Sequence, residues 1–118
     1  MKTIAIDFDG VLAQYEGWKG EEHLGTPLPG ALDFIKALCD AGYEVVIFTT
    51  RAGTSQGIDR LEGWLMFHGL GDELIEQLVI TCIKLPAWLY IDDRCFLFKG
   101  AYPSIKEIED FKPWWEKE

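Results

Sequence analysis

Apolar residues along this chain follow two spacings. Four short runs, Thr3 to Ile6, Tyr43 to Phe48, Leu78 to Thr81 and Ala87 to Ile91, are nearly continuous in apolar character. Such runs predict strands covered on both faces in a parallel sheet, with the first one central. Between the first two, Ala31, Leu32, Ile35, Leu38 and Cys39 recur every three or four residues, opened by Pro29-Gly30 and closed by Gly42. That spacing predicts a helix with one face on the sheet. Ile58, Leu61, Trp64 and Leu65 predict a second helix that stops near Gly69. Asp72 is placed to cap a short helix running through Gln77, just before the third strand.

Only a turn with Lys84 and Pro86 separates the third strand from the fourth, which is too tight for a full crossover helix and predicts a brief irregular connection. Cys95 to Phe98 predicts a fifth, edge strand, Ser104 caps a short last helix, and Pro113-Trp114-Trp115 is expected to pack onto the domain. The Gly-rich stretch from Ala13 to Leu28, with Tyr15, Trp18 and His23, reads as a loop or small flap over the strand ends. Strand and helix alternate throughout, so the fold class is α/β with a mostly parallel sheet.

With 118 residues, 48% hydrophobic, 26% charged and 12 Gly, the chain has the make-up of one soluble globular domain. It lacks the apolar stretch of about 18 residues that a spanning helix needs, and the basic and apolar regions of a signal peptide. Cys39, Cys82 and Cys95 form an odd set without CxxC spacing, read as reduced core thiols of a cytoplasmic protein. The net charge of −9 argues against an extended nucleic-acid-binding surface, though it leaves a phosphorylated nucleic-acid end open as a substrate.

Candidate chemistry gathers where the strands end. Asp7 and Asp9 close the first run, and their spacing of two aims both side chains the same way if the backbone stays extended. Gly10 then permits a sharp turn. Asp92 and Asp93 close the fourth run. A lone strand-end Asp is usually a turn or capping residue. Two acidic pairs, each at the end of a buried strand, need another explanation, because carboxylates in one site repel unless one keeps a proton or a cation lies between them. Mg²⁺ suits such oxygens and fills its remaining positions with water and phosphate oxygens. Thr49 and Lys84 add a hydroxyl and a positive charge, completing the parts of a phosphoryl-transfer site: nucleophile, proton carrier, cation and oxygen-orienting groups.

On Asp7-Phe8-Asp9-Gly10-Val11, Thr49, Lys84 and Asp92-Asp93, in that order, the chain resembles the haloacid dehalogenase-like (HAD) superfamily of phosphohydrolases across nearly its whole length. The resemblance implies a three-layer Rossmann-like domain over residues 1–118. It implies that Asp7 is the nucleophile and an Mg²⁺ ligand. Asp9 would be the general acid/base, also offering its backbone carbonyl to the metal. Thr49, with Thr50 and Arg51 beside it, and Lys84 would bind phosphate. Asp92 would ligate Mg²⁺ directly and Asp93 would hold a metal-bound water. Asp9 further marks a phosphatase rather than a dehalogenase. The short intervals from Val11 to Leu28 and from Cys82 to Lys84 resemble the capless class, whose open sites act on small or macromolecular phosphates and in some members borrow a neighbouring subunit as lid, so a homo-oligomer is a possible partner state. Trp18, Lys19, His23, Arg51 and Arg94 are the candidates for substrate contact.

The expected activity is therefore Mg²⁺-dependent hydrolysis of a phosphomonoester through an aspartyl-phosphate. The alternatives are a domain that accepts phosphate on Asp and holds it, or a catalytically silent binding module. Receiver domains place their acidic pair first and their phospho-acceptor later, the reverse of the order here. Ordinary readings stand beside these: Lys84 as a solvated turn lysine, Arg51 and Arg94 as partners of local acids, His68 as a helix-dipole residue, His23 as a loop residue, and Trp64 and Trp88 as core or surface-sealing groups.

Overall fold

The computed structural model describes residues 1–116; Lys117 and Glu118, the last two residues of the expected domain, lie outside it. Strand β1 spans Thr3–Ile6, β2 Glu44–Phe48, β3 Val79–Thr81 and β4 Leu89–Ile91, and they form one sheet in the order β3-β2-β1-β4 with every pairing parallel. Helix α1 spans Ala31–Asp40, α2 Ser55–Phe67, α3 Asp72–Gln77 and α4 Ile105–Asp110. This is the expected Rossmann-like α/β arrangement, a parallel sheet flanked by helices with β1 inside it. No described helix is long and apolar enough to cross a membrane.

The registers explain the patterning. Ile4 pairs with Val45, and Ile6 with both Ile47 and Ile91, so these side chains share one face. Against that face lie Ile35 of α1, Leu61, Trp64 and Leu65 of α2, and Ile75 of α3, all in one buried cluster. Each of these large side chains contributes roughly 1.5–3 kcal/mol by leaving water. Ala5 and Val46 lie on the opposite face and are equally buried. Tyr90 shares that face, stacks edge-on with Phe48 at 5.5 Å, and donates its hydroxyl to the Leu85 carbonyl. The irregular connection 82–88 thus runs back over this face, as its length requires.

Helix α1 starts after Gly30 and the chain turns again at Gly42, both at positive φ, where the sequence placed its ends. Thr54 caps α2 by accepting a hydrogen bond from the Gly57 N–H at 3.0 Å. Ser104 caps α4 with a reciprocal bond to Glu107. Three expectations are corrected. Residues 95–98 form no strand, and Phe96, Leu97 and Phe98 stay exposed, because an apolar run becomes a strand only where an edge receives it. Asp72 is the first residue of α3, whose cap position is Gly71. The cysteines are free, but two are not core thiols: Cys39 is half-buried and packs against the core, whereas Cys82 and Cys95 follow strand ends into exposed loops. Trp88 is exposed as well, with the Lys2 ammonium 3.8 Å above its ring.

Candidate active site

Because Ile6 pairs with Ile91, the residues that follow β1 and β4 emerge side by side. The Asp7 N–H donates to the Ile91 carbonyl at 2.9 Å and carries the pairing one step further. Carboxylate oxygens of Asp7, Asp92 and Asp93 consequently lie within 4.8 Å of one another. The chain then bends: the N–H groups of Val11, Leu12 and Ala13 all point to the Phe8 carbonyl, and Gly10 makes the turn at φ 81°. Phe8 is fully buried, edge-on to Trp64 at 4.8 Å, and anchors this bend in the core.

A cavity of about 370 Å³ opens over the strand ends, lined by Asp7, Asp9, Thr49, Thr50, Asp92 and Asp93 together with Tyr15, Trp18, Phe48, Cys82 and Arg94. Thr49 follows β2, is buried, and its hydroxyl accepts the Arg51 N–H at 3.3 Å, which leaves its own proton to donate. Asp92 accepts the Arg94 N–H at 2.8 Å. Burial, the hydrogen bond shared with Asp93 and the charge of Asp92 push the Asp7 carboxyl up to about 8, against the opposing Phe8 N–H bond at 2.8 Å. Burial raises Asp92 too, the Arg94 N–H opposing. The cluster thus has a surplus of negative charge.

Asp9 is treated differently. Arg51 grips it through both carboxylate oxygens, Nε to Oδ2 at 2.7 Å and Nη2 to Oδ1 at 3.0 Å. The same guanidinium donates to the carbonyls of Glu21 and His23 on the flap and sits 4.8 Å from the Trp18 ring. Its side chain is only 6% exposed. Arg51 is therefore a fastener between Asp9 and the flap, the ion-pair reading rather than a free phosphate contact. Gly57 lets α2 approach it, since a Cβ there would collide with the Arg51 carbonyl.

Lys84 is not brought to the cavity. The short connection 82–88 leaves it exposed, its ammonium 5.3 Å from the Tyr90 ring centre. Arg94 is the basic side chain that lines the cavity. Lys19 and the exposed His23 border a neighbouring hollow of about 260 Å³, and His68 packs edge-on against Trp64 and Phe67 beyond the end of α2. Sequence reasoning missed the tail at the site: Trp114 Nε1 donates to the Gly10 carbonyl at 2.7 Å, and Trp115 Nε1 to Asp93 Oδ2 at 2.5 Å. The Pro-Trp-Trp pattern signalled packing, but nothing local named its destination.

No protein-family model matches the chain, and no curated protein matches it. Among solved structures it is similar to one from Bacteroides thetaiotaomicron, described as that of a conserved protein coded by a locus of that organism, with a TM-score of 0.60. The two are 22% identical over 96% of this chain and 93% of that one. At that identity the likeness is one of fold, and it places the chain among Rossmann-like α/β domains.

Proposed function

We propose that the protein is a Mg²⁺-dependent phosphomonoesterase of the capless HAD type, working through an aspartyl-phosphate on Asp7. The observation that carries this reading is the convergence of Asp7, Asp92 and Asp93 on one point beside Thr49. The donor set is all carboxylate oxygen, as a hard divalent ion prefers. Asp7 held neutral is a poor nucleophile, so the cluster as it stands calls for positive charge. When bound, the cation would restore the charged carboxylates and offset phosphate charge. Asp7 then attacks phosphorus, Thr49 donates to a phosphate oxygen, and Arg94 offsets charge at the cavity wall. Asp9 protonates the leaving oxygen and later takes a proton from water, which requires Arg51 to loosen its grip. Three free cysteines fit a reducing, cytoplasmic setting.

The test is hydrolysis of an aryl phosphate with and without Mg²⁺, by wild type and Asp7→Asn. Mg²⁺-dependent turnover that Asp7→Asn abolishes is expected; turnover retained by Asp7→Asn sinks the reading. One observation favours a second reading, a domain that accepts phosphate and holds it. Asp9 tied to Arg51 is poorly placed to hasten loss of the phosphate. A phosphoenzyme that persists for minutes in wild type would select that reading.

A further inference from the structure

The last described segment returns to the cavity from the far end of the sequence. Pro113 is buried, a turn closes from the Glu116 N–H to the Pro113 carbonyl at 3.1 Å, and of the two indoles between them Trp114 faces the bend after β1 and Trp115 faces an acid. Trp115 stands edge-on to Tyr15 at 4.8 Å and 88°, with the Arg94 guanidinium 5.2 Å from its ring centre. Its N–H reaches Asp93 Oδ2, while Trp114 holds the Gly10 carbonyl at the bend that carries Asp7 and Asp9. A Cβ on Gly10 would collide with both Asp93 Oδ2 and the Trp115 indole, so their meeting leaves no room for a side chain at the bend.

We propose that Trp115 is a positioning residue for the cation-binding acids, a proposal that rests on the reading of Asp7, Asp92 and Asp93 as ligands of a divalent cation. An indole N–H donates without carrying charge, so it fixes one oxygen of Asp93 and leaves the carboxylate's negative charge for the cation. A lysine or arginine in that place would neutralise the charge the site needs. Partners that orient metal ligands in this way typically change metal affinity 10–100-fold when removed, by about that range. The Tyr15 ring and the Arg94 guanidinium hold the indole so that its direction is set before any ion arrives.

The experiment titrates protein carrying ¹⁵N-labelled indoles with MgCl₂ alone and measures the affinity by calorimetry for wild type and Trp115→Phe, which keeps an aromatic ring between Tyr15 and Arg94. The Trp115 indole resonance is expected to move saturably while that of Trp88, remote from the cavity, stays. Trp115→Phe is expected to bind Mg²⁺ about tenfold more weakly, and its lost hydrolysis to return as Mg²⁺ is raised, a split that loss of fold would not give. Wild-type affinity in Trp115→Phe, or an unmoved Trp115 resonance at saturation, overturns the proposal alone. A wild type that takes up no Mg²⁺ overturns the cation reading and this proposal with it. Should Trp115→Phe fail to fold, the wild-type resonance decides.

Discussion

Arg51 and Asp9 meet across 42 positions of sequence in a two-pronged ion pair, with the guanidinium almost entirely covered. The pair joins the bend after β1 to the flap, because Arg51 turns two further donors to the carbonyls of Glu21 and His23. Removing one partner of such a pair strands the other charge. Arg51→Gln should therefore lose about 2–4 kcal/mol of stability, discounted for the partial exposure of Asp9. Urea denaturation measures this. The released flap should also be cut by trypsin after Lys19 faster than in wild type, and unchanged cleavage would contradict the fastener role.

Asp7 gives a pH dependence whose sign follows from its raised carboxyl. The folded protein keeps the proton to about 8, whereas the unfolded chain releases it near 3.8. Folding is thus favoured at low pH, and this contribution is lost as pH rises between those values. In metal-free protein the wild-type melting temperature should fall between about pH 5 and about pH 8, and Asp7→Asn should flatten that fall. Parallel curves for the two proteins would show that Asp7 is not the group responsible. Hydrolysis by Asp7→Asn should drop by on the order of 10³-fold or more.

Mg²⁺ should stabilise the wild type by about 2.7 kcal/mol at a hundred times its dissociation constant. Asp92→Asn removes one of three converging carboxylates and should lose most of that stabilisation, read as a smaller rise in melting temperature with added MgCl₂. Chelator should return both proteins to their metal-free values. Equal shifts in the two proteins would place the ion elsewhere.

Gly57→Ala opposes two effects of different size. Alanine favours a helix over glycine by about 1 kcal/mol. Here its Cβ would meet the Arg51 carbonyl, and relieving that collision means moving α2 or the turn that carries Arg51. The collision should win, with a net loss of about 1–3 kcal/mol. A stabilised variant in urea denaturation would show that the contact is soft.

Much of the fold is legible in the sequence because burial on both faces leaves near-continuous apolar strands, and because Gly30 and Gly42 mark helix ends by their positive φ and Ser104 by its side-chain cap. The same holds for the acids as strand-end residues, although that Asp7 and Asp92 adjoin follows from the Ile6–Ile91 pairing, which only the structure shows. What escapes is whatever depends on long-range pairing. Nothing near Arg51 says that its partner is Asp9, and nothing near Trp115 says Asp93. Cys95 to Phe98 looks like a strand because composition records apolar character but not whether an edge is available. Lys84 follows the expected spacing, yet the direction of a short connection is set by the sheet it crosses.

That sheet also ends itself. Its two outer strands, β3 and β4, have three residues each, and each leaves an apolar side chain, Val79 or Leu89, in contact with water. A long edge with such side chains would offer a row of free backbone groups on which another chain could add. Three residues offer too few for a foreign strand to hold, so brevity at the rim lets a small domain keep greasy borders without becoming a template for aggregation.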